Sequence, residues 1–314
     1  MKNMYVMAVL IAMVVAACSN DEVTGQPDKS SSPIQILGNI SGMNEQNSTR
    51  AIDTTWGTDD RIGVTVAENL SGNDVDAYIN IQYRSENGNS FRAVNEGSTD
   101  NNIYLKGDAG YSLSAYYPYT GENKTLPGTD GVLTVNTKDE YQTTAKQPQI
   151  DFLFAQADDV HKGDPVEFTF AHKMTKVIFK FKAINGATLN DMACYLTNLQ
   201  LNGTFDVTTG VAAASSDPVD PKQELKLQVA KPAGDGQMIA SIILLPQVIA
   251  NDVLLEVKMN NETYTATLPA QELKAGWAHP HNVTFENPAM TIKKAEIEPW
   301  EVEDDKDVTA SVTE

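Results

Sequence analysis

The sequence is poor in cysteine and in positive charge. Its 314 residues include two cysteines, Cys18 and Cys194, and 23 lysines and arginines against 42 aspartates and glutamates, so the formal net charge is -19. A surface of this sign repels the phosphate backbone of nucleic acids, and we therefore expect no nucleic-acid partner. The rest of the composition, with 41% hydrophobic and 21% charged residues, is typical of a globular protein.

Convincing helices are also missing. No stretch of ten or more residues combines helical periodicity, capping signals and freedom from glycine and proline, whereas apolar and polar residues alternate in many short runs. Ile62, Val64 and Val66 belong to one such run. Residues 78–94 and 253–268 each hold two runs around an Asn-Gly or Asn-Asn pair, which predicts two hairpins. The sequence therefore predicts an all-β fold of the sandwich or barrel type.

Motifs of common catalytic sites are absent as well. There is no P-loop, dinucleotide fingerprint, G-x-S-x-G elbow or H-E-x-x-H zinc motif. His279 and His281 could contribute two metal ligands, but a zinc site needs three or four and the neighbouring sequence offers no sure third ligand. We interpret the pair as imidazoles that enter a strand, and we expect no enzymatic activity, no metal and no cofactor.

The N-terminus has the layout of a secretory signal. Lys2 precedes an apolar run over residues 4–17, which is shorter than the about 20 residues that a transmembrane helix needs. Residues 15–18, VAAC, resemble a bacterial lipobox, in which the cysteine becomes the acylated N-terminus; the alternative is a plain secretory signal with an incidental cysteine. Residues 19–22, SNDE, resemble the sorting and surface-export signals of Bacteroidota lipoproteins. We predict a signal peptide at 1–17, lipid on Cys18 and a surface-exposed place on the outer membrane.

Turn signals and composition divide the rest of the chain. Residues 18–50 begin as a polar tether and contain a short β-favouring stretch at 34–40. A polar turn, HKGDP at 161–165, separates two stretches of sandwich size, 51–163 and 164–300. A change of parity in the alternation predicts a bulge or a tight corner at Thr175-Lys176. If Cys18 is acylated, Cys194 is the one remaining thiol and has no partner for an intrachain disulfide. We predict that Cys194 is buried.

Residues 47–64 read NSTRAIDTTWGTDDRIGV, which resembles the opening signature of the fimbrillins of Bacteroidales. Further matches follow in order along the chain: YYPY at 116–119, DFLFA at 151–155, FTFAHKMTKV at 168–177 and IEPW at 297–300. The resemblance spans essentially the whole mature chain. It implies two transthyretin-like β-sandwich domains in tandem after a lipoprotein signal peptide, and a structural subunit of surface fimbriae that supports adhesion and biofilm formation.

The resemblance also implies a processing step. An arginine-specific protease would cut between Arg50 and Ala51 and so remove the lipid anchor together with the strand predicted at 34–40. A sandwich that lacks one strand exposes an apolar groove and unpaired backbone groups, which a strand of another fimbrial subunit can fill. The alternative interpretation of Arg50 is a single exposed arginine in a Ser/Thr-rich loop.

The C-terminal extension, residues 301–314, is the candidate donor strand. After the strongly acidic stretch EVEDDK at 301–306, Val308, Ala310 and Val312 alternate with polar residues, which favours an extended strand; the alternative is a frayed tail. A donating tail favours a shaft or adaptor subunit over a tip, and the cleavage site counts against an uncleaved anchor.

A rival interpretation comes from another class of protein. A surface glycan-binding lipoprotein would have the same signal and the same β-sandwiches, and would present exposed aromatic side chains to sugars. The tryptophans are Trp56, Trp277 and Trp300. Trp56 and Trp300 lie within the fimbrillin-like motifs, where a packing role is simpler, so the rival depends on an exposed Trp277 beside other aromatics.

Overall fold

The computed structural model describes residues 32–41, 55–67, 78–183, 189, 191–230, 237–259, 261–286, 289–294 and 298–299. In this part of the chain the helices are two 3₁₀ turns, Asp139–Tyr141 and Gln147–Gln149, and the rest of the regular structure is β. The predicted all-β class is confirmed. In chain order the strands are β1 (Ile36–Ile40), β2 (Arg61–Val66), β3 (Ile81–Asn87), β4 (Ser90–Ala93), β5 (Tyr111–Tyr117), β6 (Val132–Asn136), β7 (Leu153–Val160), β8 (Val166–His172), β9 (Thr175–Ala183), β10 (Ala193–Thr197), β11 (Asn202–Asp206), β12 (Val211–Ala214), β13 (Leu225–Leu227), β14 (Met238–Leu244), β15 (Gln247–Ile249), β16 (Leu254–Met259), β17 (Glu262–Thr267), β18 (Gln271–Leu273), β19 (Trp277–Glu286), β20 (Ala289–Lys294) and β21 (Glu298–Pro299).

Seven strands close into a barrel in the order β1-β4-β3-β2-β5-β7-β8, with β8 returning to β1. Their alternation directs one side chain in two to a common core that includes Ile62, Tyr83 and Phe168, each at most 1% exposed. Closure leaves no free edge within these seven strands, which protects their backbone groups from pairing with other chains.

A second core lies between two sheets of the C-terminal half. Their orders are β13-β10-β16-β17 and β14-β9-β19-β20, with β21 pairing beside β19, while β15 and β18 form a separate two-stranded sheet. Phe179, Phe181 and Phe285 fill this core. Cys194 is fully buried there, as predicted, and burial raises the pKa of its thiol to about 12, so the sulfur stays protonated at neutral pH.

A third core joins the two halves. Strand β6, from the N-terminal half of the chain, pairs with β11 of the C-terminal half in the sheet β12-β11-β6. Beneath it Phe205 is fully buried and stacks on Phe152 with ring centroids 4.4 Å apart. The buried Gln142 side chain adds a polar link, because its amide donates to the Ile243 carbonyl at 2.8 Å and its oxygen accepts from the Ile243 N–H at 2.9 Å.

Both predicted hairpins are confirmed, as β3–β4 and β16–β17, with Gly88 and Asn261 at positive φ in or beside their turns. The parity change near Thr175 is a corner at which the chain leaves the barrel after β8 and enters the second core with β9. The sequence assigned β8 to the second domain, whereas it pairs with β7 and β1 in the barrel. The sequence missed this placement because the polar turn at 161–165 is only the loop between β7 and β8.

Truncation of Phe205 tests how strongly the third core stabilises the protein. Phe205→Ala removes a fully buried ring and its stacking partner contact, so the free energy of unfolding should fall by about 3–5 kcal/mol. Val211→Ala, in the neighbouring β12 at 57% exposure, is the matched control and should change it by less than about 0.5 kcal/mol. Urea denaturation measures both, and equal effects would contradict a stabilising role for this core.

Candidate functional site

Strand β1 holds the barrel closed. It pairs in parallel with β8 over five residues, from Ile36 opposite Val166 to Ile40 opposite Phe170, and antiparallel with β4 at Ile36 and Leu37. Backbone hydrogen bonds extend the pairing at both ends, from Val166 N to Gln35 O at 2.8 Å and from Ser41 N to Phe170 O at 2.7 Å. Without β1, the edges of β4 and β8 would face each other across an open groove.

The inward face of β1 is apolar and buried. Ile36 and Ile40 on β1 are each 1% exposed, Ile34 just before the strand is 8% exposed, and all three belong to the barrel core. Burial of each such side chain is worth about 1.5–3 kcal/mol relative to exposure. The stretch 34–40, predicted from the sequence as a short strand, therefore contributes a full row of the core, and its loss would expose the apolar groove.

Gly38 is the narrowest point of this groove. A Cβ atom at this position would lie 2.9 Å from the Phe91 ring and 3.0 Å from the Phe170 ring. Real Cβ atoms rarely approach carbon so closely, so the two rings leave room for almost no side chain. The sequence analysis did not single out Gly38, although a glycine in the middle of a β-favouring stretch is a recognised sign of close packing.

Trp56, which precedes β2, contacts β1 through a hydrogen bond and ring packing. Its indole N–H donates to the Gly38 carbonyl at 2.7 Å, and its ring makes edge contacts with Phe91, Phe170 and Tyr117 at centroid distances of 5.0–5.5 Å. This geometry gives Trp56 the packing role that the sequence favoured. The hydrogen bond is to backbone, so it would hold any strand that placed a carbonyl at this point.

The covalent link between β1 and the rest of the barrel runs through residues 42–54. Arg50 and Ala51 belong to this segment and lie outside the described residues, as do the signal peptide with Cys18 and the extension with Val308, Ala310 and Val312. The roles predicted for all six residues stay predictions. What the described residues establish is the topology: a chain break anywhere in 42–54 would leave β1 bound to the barrel by noncovalent contacts alone.

The histidine pair lies in the second core. His279 and His281 are 1% and 0% exposed on β19, where the His279 ring accepts from the Lys274 N–H and the His281 ring lies 3.0 Å from the Gln271 amide. The described ranges contain no group of three His, Cys, Asp or Glu side chains placed to hold a metal ion. Nor do they contain a helix with the length and apolar character needed to cross a membrane.

Trp277 gives little support to a sugar-binding platform. It is 36% exposed, and its ring contact is with the Lys274 ammonium, 5.9 Å from the centroid. Among the described residues it has no aromatic partner of the kind that makes a stacking surface for a sugar. Trp300 lies outside the described residues.

Comparison with known proteins identifies the family. A sequence model described as fimbrillin-like matches residues 49–300. The chain belongs to the fimbrillin-like family. The predicted resemblance to fimbrillins is thereby confirmed, and the protein is assigned to a family of fimbrial and cell-adhesion proteins. The comparison with curated proteins finds no match.

Solved structures of proteins from Bacteroidales are similar to this fold. A candidate cell adhesion protein from Bacteroides ovatus is 58% identical over 87% of this chain and 99% of its own, with a TM-score of 0.80. A second one, from Bacteroides uniformis, has a TM-score of 0.65 at 23% identity over 85% of this chain and 99% of its own. The C-terminally truncated tip fimbrial protein Mfa3 from Porphyromonas gingivalis has a TM-score of 0.51 at 10% identity, over 86% of this chain and 100% of its own. The last two show likeness of fold alone.

A valine at Gly38 tests the narrow point of the groove. In the uncut chain, Gly38→Val would force the Phe91 and Phe170 rings apart, so the free energy of unfolding should fall by about 1–3 kcal/mol and the amides of β1 should exchange faster with solvent. Leu37→Val, on the outward face, is the control and should leave exchange nearly unchanged. Hydrogen exchange with mass detection measures both, and equal exchange in the two variants would contradict the tight fit.

Proposed function

We propose that this protein is a structural subunit of cell-surface fimbriae, exported as a lipoprotein, cut after Arg50 and polymerised by donor-strand exchange. The observation that supports it most directly is the topology of β1. A buried strand of the barrel precedes Arg50 in sequence, whereas the rest of the barrel follows it. Cleavage would thus convert an internal strand into a separate peptide.

Cleavage would weaken the binding of β1 to the barrel because it lowers the effective concentration of β1 at the groove. As long as residues 42–54 join it to the barrel, β1 rebinds intramolecularly at an effective concentration in the millimolar range. After the cut, no covalent tether returns a dissociated β1 to the barrel, so its effective concentration at the groove falls. The groove then stays open for a strand that is delivered at high local concentration by a neighbouring subunit.

The open groove would accept only an extended segment. Its walls are the β8 backbone, which pairs with β1 over five residues, and the β4 backbone, and its floor is the ring cluster of Phe91, Phe168 and Phe170. Backbone pairing with the walls and apolar side chains on the floor are the two requirements of strand addition. The C-terminal segment with Val308, Ala310 and Val312 meets both, and we propose it as the donor strand.

The donor assignment favours a shaft or adaptor subunit over a tip, within a fimbrium that supports adhesion and biofilm formation. Until it is processed, the subunit would sit on the outer membrane through its lipid, exposed at the surface. Its partners would be other fimbrial subunits and an arginine-specific protease. We also propose that the two larger cores correspond to two transthyretin-like sandwich domains joined by the third.

Substitution of Arg50 tests the processing step. Arg50→Lys keeps the positive charge but removes the planar guanidinium that an arginine-specific pocket binds, so surface material should remain an uncut monomer that begins at acylated Cys18. Wild-type surface material should begin at Ala51 and form polymers. N-terminal mass analysis and gel filtration measure both. Polymers built from the uncut variant would refute the cleavage step, and uncut wild-type chains would indicate an anchor subunit.

Substitution of Cys18 tests the lipid. Cys18→Ala should abolish incorporation of a labelled fatty acid and leave the unprocessed precursor to accumulate, because the thiol is the acylation site. Cys194→Ala is the control and should keep its label, since Cys194 is buried in the second core. Undiminished label in Cys18→Ala would rule out lipidation at this residue.

A further inference from the structure

The groove of β1 restricts how a donor strand can lie in it. The inward side chains of β1 are Ile36, Gly38 and Ile40, a large–small–large pattern whose middle position has no room beside Phe91 and Phe170. A donor must therefore place its smallest inward residue at position 38. Side chains of valine size at this point would force the two rings from their packed positions.

The C-terminal segment carries the same pattern once. Val308, Ala310 and Val312 alternate with Thr309 and Ser311. A shift by two residues would place a valine at position 38, and a shift by one would turn the hydroxyl side chains into the apolar core. The register with Ala310 at position 38 carries the smallest penalty, because alanine brings only a Cβ, which the Phe91 and Phe170 rings must still move slightly to accept. Because the pattern reads the same in both directions, sterics alone leave the orientation of the strand open.

A row of arginines beside the groove supplies the orientation. Arg61, Arg84 and Arg92 lie directly opposite one another across β2, β3 and β4, on the outward face of the barrel. Arg84 is 3.2 Å from Asp59 and Arg92 is 2.7 Å from Glu86. The three arginines and these two carboxylates together keep one net positive charge. Because adjacent like charges in cross-strand register repel one another, this remaining charge favours a further carboxylate close by.

Arg92, at one end of the arginine row, lies beside the groove near Gln35. The antiparallel register of β1 with β4, Ile36 opposite Phe91, places Gln35 beside Arg92 when it is extended by one residue. A cavity of about 250 Å³ lies along the same stretch of β4 and is lined by Arg84, Arg92, Ala93, Val94 and Asn95. Gln35, the residue that this extended register places beside Arg92, is uncharged.

From these features we infer that the groove takes the acidic C-terminal segment of a second copy of this chain in one register and one direction. Val308, Ala310 and Val312 occupy the places of Ile36, Gly38 and Ile40, and the strand runs parallel to β8. Asp307 then replaces Gln35 beside Arg92. This inference rests on the proposed function, since it requires that β1 leaves the groove.

The rest of the acidic segment fits the same face. Glu301, Glu303, Asp305 and Asp307 alternate along the chain, so an extended strand turns all four carboxylates outward with Asp307. Asp305 falls two residues before Asp307, at position 33, where the chain has left β4 and the adjacent Ile34 N–H donates to the Ile103 carbonyl. The donor thus adds carboxylates where β1 has none, which favours the donor over β1 in the cleaved subunit. In the opposite direction, Asp307 would lie at the Ser41 end of the groove and Thr313 beside Arg92.

A binding assay between an acceptor-only chain and a donor-only chain tests strand exchange separately from the register. The acceptor is the mature chain cut after Arg50, with its own tail disabled by Val308→Asp and Val312→Asp; the partner is uncut Arg50→Ala, which can only donate. Native mass spectrometry counts the heterodimer and gives its dissociation constant. Failure of this starting pair to associate overturns the proposed function, and the register with it.

Steric variants of the donor test the register. Ala310→Val should weaken the heterodimer at least about tenfold, because the added methyl groups meet Phe91 and Phe170. Thr309→Val adds a similar methyl group to the outward face and should change the dissociation constant by less than about threefold. If Ala310→Val binds as tightly as Thr309→Val while the starting pair associates, the register is wrong and strand exchange still stands.

Charge variants and cross-links test the direction. Asp307→Lys in the donor, or Arg92→Glu in the acceptor, should weaken binding by up to about fivefold at 0.1 M salt, and the two together should restore it. Asp304→Lys makes the same change of charge as Asp307→Lys but on the opposite face of the extended strand, so it should have little effect on the dissociation constant. Oxidation should join Asp307→Cys to Arg92→Cys across the strand pair. A cross-link of Thr313→Cys to Arg92→Cys instead would overturn the direction.

Discussion

Closure of the barrel depends on β1, a strand that pairs with two strands, β4 and β8, neither of which is adjacent to it in sequence. Strand β1 is the only connection between β4 and β8 in the described sheet, so closure of the whole ring rests on five residues and on the row of buried isoleucines that they carry. The proposed strand exchange would require these contacts to complete the fold before cleavage and to be replaced after it. The covalent link through residues 42–54 would meet both requirements, because a tethered strand rebinds far more readily than a free peptide with the same contacts.

The described sheets outside the barrel make no strand pairing with β1. The second core is bounded by sheets that make no pairing with β1, and the third core ties the two halves through β6, β11 and the stacked rings of Phe152 and Phe205. Trp56 follows the proposed cleavage site, so its indole N–H, which donates to the Gly38 carbonyl, would stay with the barrel after such a cut.

Shape and charge would act separately on a strand in this groove. Phe91 and Phe170 crowd one point and would select a register, while Arg84 and Arg92 lie on the outward face, where an ion pair adds little affinity but would distinguish the two ends of a strand. The overall charge of -19 makes such a local basic row unusual, and all arginines other than Arg50 belong to it. In the proposed assembly, the acidic residues near the C-terminus of a second copy are the complementary partner.

The sequence alone determined the all-β class, the two hairpins, the buried thiol and the family, since alternation, turn residues and motifs are local signals. It also picked out 34–40 as a short strand. It could not determine the partners of β1, because parallel pairing with β8 joins residues 130 positions apart by backbone hydrogen bonds that carry no side-chain signature. For the same reason it placed β8 after the domain boundary instead of in the barrel. The meaning of Gly38 and of the arginine row came only from the tertiary structure, which brings together residues that are remote in sequence: Phe91 and Phe170 around one glycine, and three arginines on adjacent strands beside the end of another.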